Sequence, residues 1–258
     1  MLKNGAFINF PSKGIINHIN MSKQNTIIEE MFRAGAHYGY SKSRRHPSTS
    51  SYIFATKNGV DIMNIEKTYE LFKKAVNQIK KYAETGKTIL FVGTKAEAKQ
   101  QITEIALALN MPYITERWVG GTLTNFSEIK KRIVKLLDLR DQKEKGGLDK
   151  YTKKERLLID KEIDDMTRNF QGLTGITKTP DVMFVIDPKK EHIAVAEAHK
   201  MNIPVVALLN TDCNIKKVEY PIIANDASVS SINFFVKAIK DAYISGLQGI
   251  DLNKEDKK

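Results

Sequence analysis

The chain has 258 residues, of which 41% are hydrophobic and 28% are charged, and its formal net charge is +11. These values are ordinary for a folded protein, and the lone Cys213 excludes an intrachain disulfide framework and a zinc site built from several cysteines. No apolar run approaches the roughly 20 residues that cross a bilayer, and residues 1–20 lack the long apolar core of a secretory signal, so we expect a soluble protein in a reducing compartment.

The N-terminal quarter of the sequence predicts an extension, a short helix, a loop and a hairpin. Residues 1–25 are expected to form a weakly ordered extension, within which Met21 is an alternative start. A capping-box pattern at Thr26 predicts a helix that ends at Gly35. Residues 36–51 have no apolar period and predict a loop. A turn signal between two β-like segments then predicts a β-hairpin: residues 52–56, Asn58-Gly59 and residues 60–64.

Short apolar strands and amphipathic helices alternate in the rest of the chain, apart from one interruption. The strands are predicted at residues 88–92, 113–115, 182–186, 205–209 and 222–223, and the helices at residues 66–84, 96–109, 191–200 and 228–245. Strands that are apolar throughout and separated by helices are typical of a parallel sheet covered on both faces. We therefore predict an α/β fold with a doubly wound parallel sheet, formed by residues 26–126 and 173–246 and followed by a tail at residues 247–258.

The interruption, residues 127–172, predicts a pair of helices inserted into the core domain. Narrow apolar seams repeat at intervals of three and four residues on both sides of a Gly-Gly turn: Ile129, Ile133 and Leu136 before it, and Ile159, Ile163, Met166 and Phe170 after it. A second capping box begins at Thr152. Because each seam is narrow and its flanks are charged, we predict an antiparallel, coiled-coil-like hairpin that protrudes from the core.

The positive charge is concentrated in the N-terminal half. Residues 1–126 contain 17 Lys and Arg against 9 Asp and Glu, whereas residues 173–258 contain 11 of each. This asymmetry favours a polyanionic partner such as nucleic acid, with a surface kept soluble by lysine as the alternative. The loop at residues 37–46 strengthens the first interpretation, because cations there can neutralise phosphates and rings can stack on unpaired bases: Lys42, Arg44 and Arg45, with His37, Tyr38 and His46.

Two other places resemble parts of enzyme sites. The turn at residues 93–95 joins a strand to a helix, where phosphates often bind, but it lacks the full glycine-rich motifs. A sharp turn that needs Gly93 is the simpler explanation, and Lys95 contacting an RNA phosphate is the functional one. Four reactive side chains lie near the predicted strand ends, where α/β enzymes place their active sites: Asp187, His192, Asp212 and Cys213. No nucleophile elbow or pair of histidines with metal-ligand spacing accompanies them, so ordinary loop and helix-entry roles are the simpler explanation.

The segment from Arg117 to Phe126 is the most unusual stretch of the sequence. It holds the only tryptophan, Trp118, which we expect to be a buried anchor. Two glycines beside it, Gly120 and Gly121, permit a tight turn. Burial of the ring does not account for the polar residues that crowd the same turn, and these are candidates for RNA contact: Arg117, Thr122 and Asn125.

This segment closely resembles the signature of the bacterial-type small-subunit ribosomal protein two family. Further blocks agree in order and spacing, and the resemblance covers the chain from Thr26 to Gly246: residues 34–39, 65–68, 90–95, 180–187, 191–194, 202–205 and 209–212. The chain departs from the family at Tyr40, where a second histidine is usual, and at residues 45–49, where a run containing tryptophan is usual. Arg44 and Arg45 are expected to replace that ring with phosphate contacts.

The resemblance implies a Rossmann-like core with a protruding helical hairpin and a structural role in the small ribosomal subunit, without catalysis, a cofactor or a small-molecule substrate. It implies binding to small-subunit rRNA near the junction of head and body, contacts with other small-subunit proteins, and a neighbouring site for ribosomal protein one where a species has it. A bacterial cytoplasmic ribosome is favoured over an organellar one. The predicted RNA-binding residues are His37, Tyr38, Lys42, Arg44, Arg45, His46, Lys57, Lys95, Arg117, Thr122 and Asn125.

Two rival functions make different demands on the structure. An enzyme of related fold, such as a sugar-phosphate isomerase or a nucleotide-binding protein, needs a small-molecule pocket at residues 93–95 and 210–212. A free adaptor that uses the helical hairpin predicts a soluble pool without rRNA.

Overall fold

The computed structural model describes residues 23–148 and 150–255. Its strands are β1 (Tyr38–Ser41), β2 (Ile53–Lys57), β3 (Val60–Met63), β4 (Ile89–Val92), β5 (Tyr113–Ile114), β6 (Val182–Ile186), β7 (Val205–Leu209) and β8 (Tyr220–Ile223). Its helices are α1 (Lys23–Arg33), α2 (Ile65–Glu84), α3 (Ala96–Leu109), α4 (Phe126–Glu144), α5 (Lys153–Phe170), α6 (His192–Lys200) and α7 (Val229–Glu255). Within the described ranges, no helix is both long and apolar enough to span a membrane.

A parallel five-stranded sheet forms the centre of the fold, in the order β5-β4-β6-β7-β8. Side chains alternate between its faces, so the apolar strands supply two cores. Ile89 and Phe91 of β4 pack in the core shared with α2, α3 and α7, whereas Leu90 and Val92 pack in the core shared with α6 and the first turns of α4. The predicted α/β class with a parallel sheet is therefore confirmed.

A second, antiparallel sheet of order β1-β3-β2 precedes this domain. The predicted hairpin is confirmed, and Asn58 and Gly59 both have positive φ, which a tight hairpin turn requires. The prediction that residues 36–51 are entirely loop is wrong, because Tyr38–Ser41 forms β1 and pairs with β3. This strand is short and its pairing is supplied by a distant segment, so it leaves no periodic signal. Gly39 is needed there, since a Cβ atom would lie 2.7 Å from Thr211 Cγ2.

The ends of two helices differ from the sequence prediction. Helix α1 begins at Lys23, so Thr26 lies inside the helix and the predicted capping box at that residue is wrong. Lys and Gln, which precede Thr26, are good helix formers and allow the earlier start. The predicted helix at residues 228–245 continues to Glu255. The rest of the predicted N-terminal extension, residues 1–22, lies outside the described residues.

Helices α4 and α5 lie side by side within residues 126–170. Ile129, Ile133 and Ile163 are buried and belong to the same core as Trp118. Two exposed ion pairs also join the helices, Lys135 with Glu162 and Lys143 with Asp160. Helix α5 starts with the predicted capping box, in which Thr152 and Glu155 bond to each other's backbone.

Candidate nucleic-acid interface

The basic loop, residues 42–46, rests on the carboxyl ends of the parallel strands. The backbone N–H of His46 donates to the carbonyl oxygen of Thr211, at 2.8 Å, and the hydroxyl of Thr49 donates to the same oxygen, at 2.8 Å. The N–H of Tyr40 donates to the Thr211 hydroxyl, at 3.1 Å. The segment after β7 therefore holds the loop at the edge of the sheet where ligands of α/β proteins commonly bind.

The two adjacent arginines of this loop have different environments. Arg45 donates two hydrogen bonds to Asp61, one of them from Nε to Oδ2 at 2.7 Å. The Asp61 side chain is fully buried. Hydrogen bonding from Arg45 lowers the pKa of Asp61 below its usual value. Arg44 is 55% exposed, lies 3.5 Å from Asp212 and stacks over the ring of Tyr40 at 4.4 Å. Only Arg44 presents its charge to solvent, whereas Arg45 braces the loop.

Lys95 lies inside a polar cluster at the ends of β4 and β6. Its ammonium is 2.7 Å from Asp187 and 2.8 Å from Asp226, and it donates to the Tyr40 hydroxyl at 3.3 Å. Burial alone would lower the pKa of Lys95, but Asp226 and Asp187 outweigh it and raise the pKa above its usual value. This placement differs from the predicted phosphate contact, because two carboxylates already neutralise the ammonium. Gly93 lets α3 pack closely against the end of β4, since a Cβ atom there would lie 3.0 Å from Ile102.

The aromatic residues before the loop form a ring stack. His37 lies parallel to Phe32 at 4.2 Å between ring centroids and contacts Tyr38 at 4.0 Å. His37 is buried, burial lowers its pKa, and its Nδ1 atom has no hydrogen-bond partner. Tyr38 is 52% exposed. The imidazole is therefore packed inside the stack, whereas Tyr38 and Phe32, which is 45% exposed, are rings that an unpaired base can reach.

One buried carboxylate organises the segment after Arg117. The Trp118 indole N–H donates to Glu197 Oε1 at 3.0 Å, and the backbone N–H of Gly121 donates to the same oxygen at 2.8 Å. The other oxygen accepts the backbone N–H groups of Leu123 and Thr124 and the Thr124 hydroxyl. Trp118 is 7% exposed, and Gly121 has a φ of +90° that favours glycine. The Glu197 carboxylate therefore holds the backbone of this turn in place.

The other predicted contact residues are divided between surface and interior. Exposed side chains are those of Lys42, Lys57, Arg117 and Asn125, and Gly120 is exposed as well. Thr122 is buried and its hydroxyl donates to the carbonyl oxygen of Val119 at 2.6 Å, so it closes the turn. The ring of His46 bonds to the Ser48 hydroxyl and caps a short 3-10 helix.

Of the four reactive side chains near the strand ends, His192 is exposed and the other three are buried. Burial raises the pKa of the Cys213 thiol strongly, and the neighbouring carboxylates of Asp187 and Asp212 add to the shift. A thiol in that state is a poor nucleophile. Asp187 is committed to Lys95, and Asp212 to Lys189 at 2.9 Å. Within the described ranges, no cluster of His, Cys, Asp and Glu could hold a metal ion.

Sequence reasoning missed Glu197, Asp226 and Asp61, which hold this edge of the molecule together. A signal existed for Glu197, because it follows Ala194 by three residues and therefore lies on the buried face of α6. Asp61 and Asp226 occur in ordinary turn or strand contexts, and their partners are distant in sequence, so nothing in the sequence singled them out.

Comparison with known proteins identifies a single family. A family model described as ribosomal protein S2 matches residues 31–246. The small ribosomal subunit protein uS2 of Chlorobium luteolum is 42% identical over 84% of this chain and 86% of its own length. The proteins of the same name from Geotalea uraniireducens and Dictyoglomus turgidum are 41% and 39% identical, over 87% and 89% of this chain and 88% and 92% of their own lengths.

Proposed function

The chain belongs to the ribosomal protein S2 family, and from that premise we propose that the basic loop and its neighbours bind small-subunit rRNA. Membership makes the chain a structural, non-enzymatic component of the small ribosomal subunit, as the sequence predicted. The observation that carries the proposal is the exposure of four cations, of which only Arg44 has an ion-pair partner among the described residues: Lys42, Arg44, Lys57 and Arg117.

The proposal assigns different tasks to the predicted contact residues. Lys42 and Arg44 neutralise phosphates, and Tyr38 is available for stacking on a base. Arg45, Lys95 and Thr122 support the surface from within, because their polar atoms already have protein partners. The rRNA region at the junction of head and body, and a contact with ribosomal protein one, are further parts of the proposal that rest on the family resemblance. The bacterial relatives favour a cytoplasmic ribosome.

A double variant, Lys42→Ala with Arg44→Ala, tests the phosphate contacts. Each lost contact should reduce the salt dependence of binding, so the slope of log affinity against log salt should fall by about 2. Stability should change by less than about 0.5 kcal/mol, since Lys189 still neutralises Asp212. The matched control is Lys73→Ala with Lys80→Ala on the exposed face of α2. Binding of small-subunit rRNA by the full chain is measured between low and moderate salt, and an unchanged slope would mean that the loop is merely solvated.

We also propose that α4 and α5 form an inserted hairpin whose outer part is not needed for the core to fold. Its inner residues, including Ile129 and Phe170, belong to the core. Beyond Leu136 the apolar residues that pack against the core are only partly buried, and the exposed ion pair of Lys143 with Asp160 contributes little stability. Replacing residues 137–160 with a four-residue Gly/Ser linker should therefore leave a cooperative thermal transition. Near-ultraviolet circular dichroism provides the measurement, and a product without a cooperative transition would show that the outer hairpin is part of the core.

A further inference from the structure

A groove of about 410 Å³ lies at the carboxyl ends of β6 and β7, between α6 and the segment at residues 212–217. Apolar lining comes from Pro188, Val195 and Ala196. Five lysine and histidine side chains share the lining: His46, Lys189, His192, His199 and Lys217. The volume of the groove falls in the range of small-ligand sites. A contact with a phosphate alone would need less space.

The charges around the groove favour an anionic occupant. Among the described residues that line the groove, the one carboxylate is that of Asp212. Its side chain is 4% exposed and already paired with Lys189 at 2.9 Å and Arg44 at 3.5 Å. The Lys217 ammonium has no ion-pair partner within the described ranges. His199 bonds to the carbonyl oxygen of Lys217 at 2.9 Å and so fixes this segment against α6.

A larger groove between α1, α2 and α7 does not share this character. It is also lined by apolar side chains, but Glu30 and Asp241 lie beside Lys73 and Lys237, so its charges are balanced. The groove near α6 is instead continuous with the basic loop, because His46 lines it and Arg44 shares Asp212 with it.

We propose that this groove binds a single unpaired nucleotide of the rRNA. The base lies against Pro188, Val195 and Ala196, and its phosphate is neutralised by Lys217. Splayed bases that enter protein pockets are the usual basis of sequence-specific RNA recognition. The inference rests on the proposed function and adds to it: the basic loop binds the phosphate backbone of the rRNA, and the groove binds one unpaired nucleotide.

The central test fills the groove without changing its charge. Ala196 is an exposed residue of α6, so Ala196→Phe should fold, whereas Ala108→Phe makes the same change on the exposed face of α3 and serves as the control. Excluding the base removes its contacts with the apolar lining, so binding of small-subunit rRNA should weaken about 5-fold or more. Lys217→Ala should weaken binding and lower the slope by about 1.

A second measurement needs no variant. Small-subunit rRNA that carries 4-thiouridine should crosslink to the wild-type chain within residues 188–199 or 212–217. If Ala196→Phe binds normally and no crosslink falls in these segments, while Lys42→Ala with Arg44→Ala binds weakly, the groove proposal alone is wrong. If neither set of changes affects binding, the proposed function fails with it. Normal rRNA affinity combined with failure of Ala196→Phe to enter small subunits would overturn the nucleotide and point to a protein partner.

Discussion

Replacing Glu197 with alanine should lower the free energy of unfolding by at least about 3 kcal/mol, because several donors would lose their acceptor at once. Glu197→Gln should lower the free energy of unfolding by about 1–3 kcal/mol. Its amide oxygen can still accept hydrogen bonds, but its amide N–H₂ group would face the N–H donors that bond to the second carboxylate oxygen. The control is Glu70→Gln, an exposed change on α2 that should stay within about 0.5 kcal/mol. Urea unfolding followed by Trp118 fluorescence measures these differences and also reports on the turn itself.

The pH dependence of this effect has a defined sign. Burial alone would raise the pKa of Glu197, but hydrogen bonds from Trp118 and the turn outweigh it, so the pKa lies below the ordinary value of 4.5. Such a carboxyl stabilises the folded state above its unfolded pKa and loses this contribution as the pH falls through its folded pKa. The stability gap between wild type and Glu197→Gln should therefore be constant near neutral pH and shrink below about pH 4.5. A gap that widens on acidification would contradict this assignment.

Arg45→Ala should destabilise the protein by about 3 kcal/mol, because it leaves the buried Asp61 carboxylate without its cation. Arg45→Lys should recover only part of this loss, as an ammonium cannot reproduce the two-pronged guanidinium contact. Combining Arg45→Ala with Asp61→Asn should recover more, since no buried charge remains.

Arg44→Ala is the matched control for this experiment, because it removes the same charge one position earlier. It should change thermal stability little and rRNA affinity clearly, whereas Arg45→Ala should mainly lower the melting temperature. Equal effects of the two changes on stability would show that Arg45 does not brace the loop.

Much of the fold could be predicted because burial imposes a pattern on the sequence. Strands such as Val182–Ile186 are apolar at every position, which is the mark of a sheet with two covered faces. β1 could not be found, because it is a four-residue strand whose pairing depends on a distant segment. The two arginines of the loop are equivalent in sequence, and only the position of Asp61 separates their tasks. The turn between β4 and α3 predicts a phosphate contact at Lys95. Its carboxylate partners, Asp187 and Asp226, are far away along the chain and leave no signal beside it.

The attachment of the first sheet to the last strands has a consequence for synthesis. Asn225 donates its backbone N–H to the carbonyl oxygen of Ala36 and its side-chain amide to Gly35, and the Tyr40 N–H needs the hydroxyl of Thr211. Residues 35–40 are therefore bonded to residues 211–225, close to the other end of the sequence. These two segments cannot meet until nearly the whole polypeptide has left the exit tunnel. A nascent chain that ends before Thr211 therefore lacks the support on which the basic loop rests, so the proposed rRNA contact cannot form until translation of the chain is almost finished.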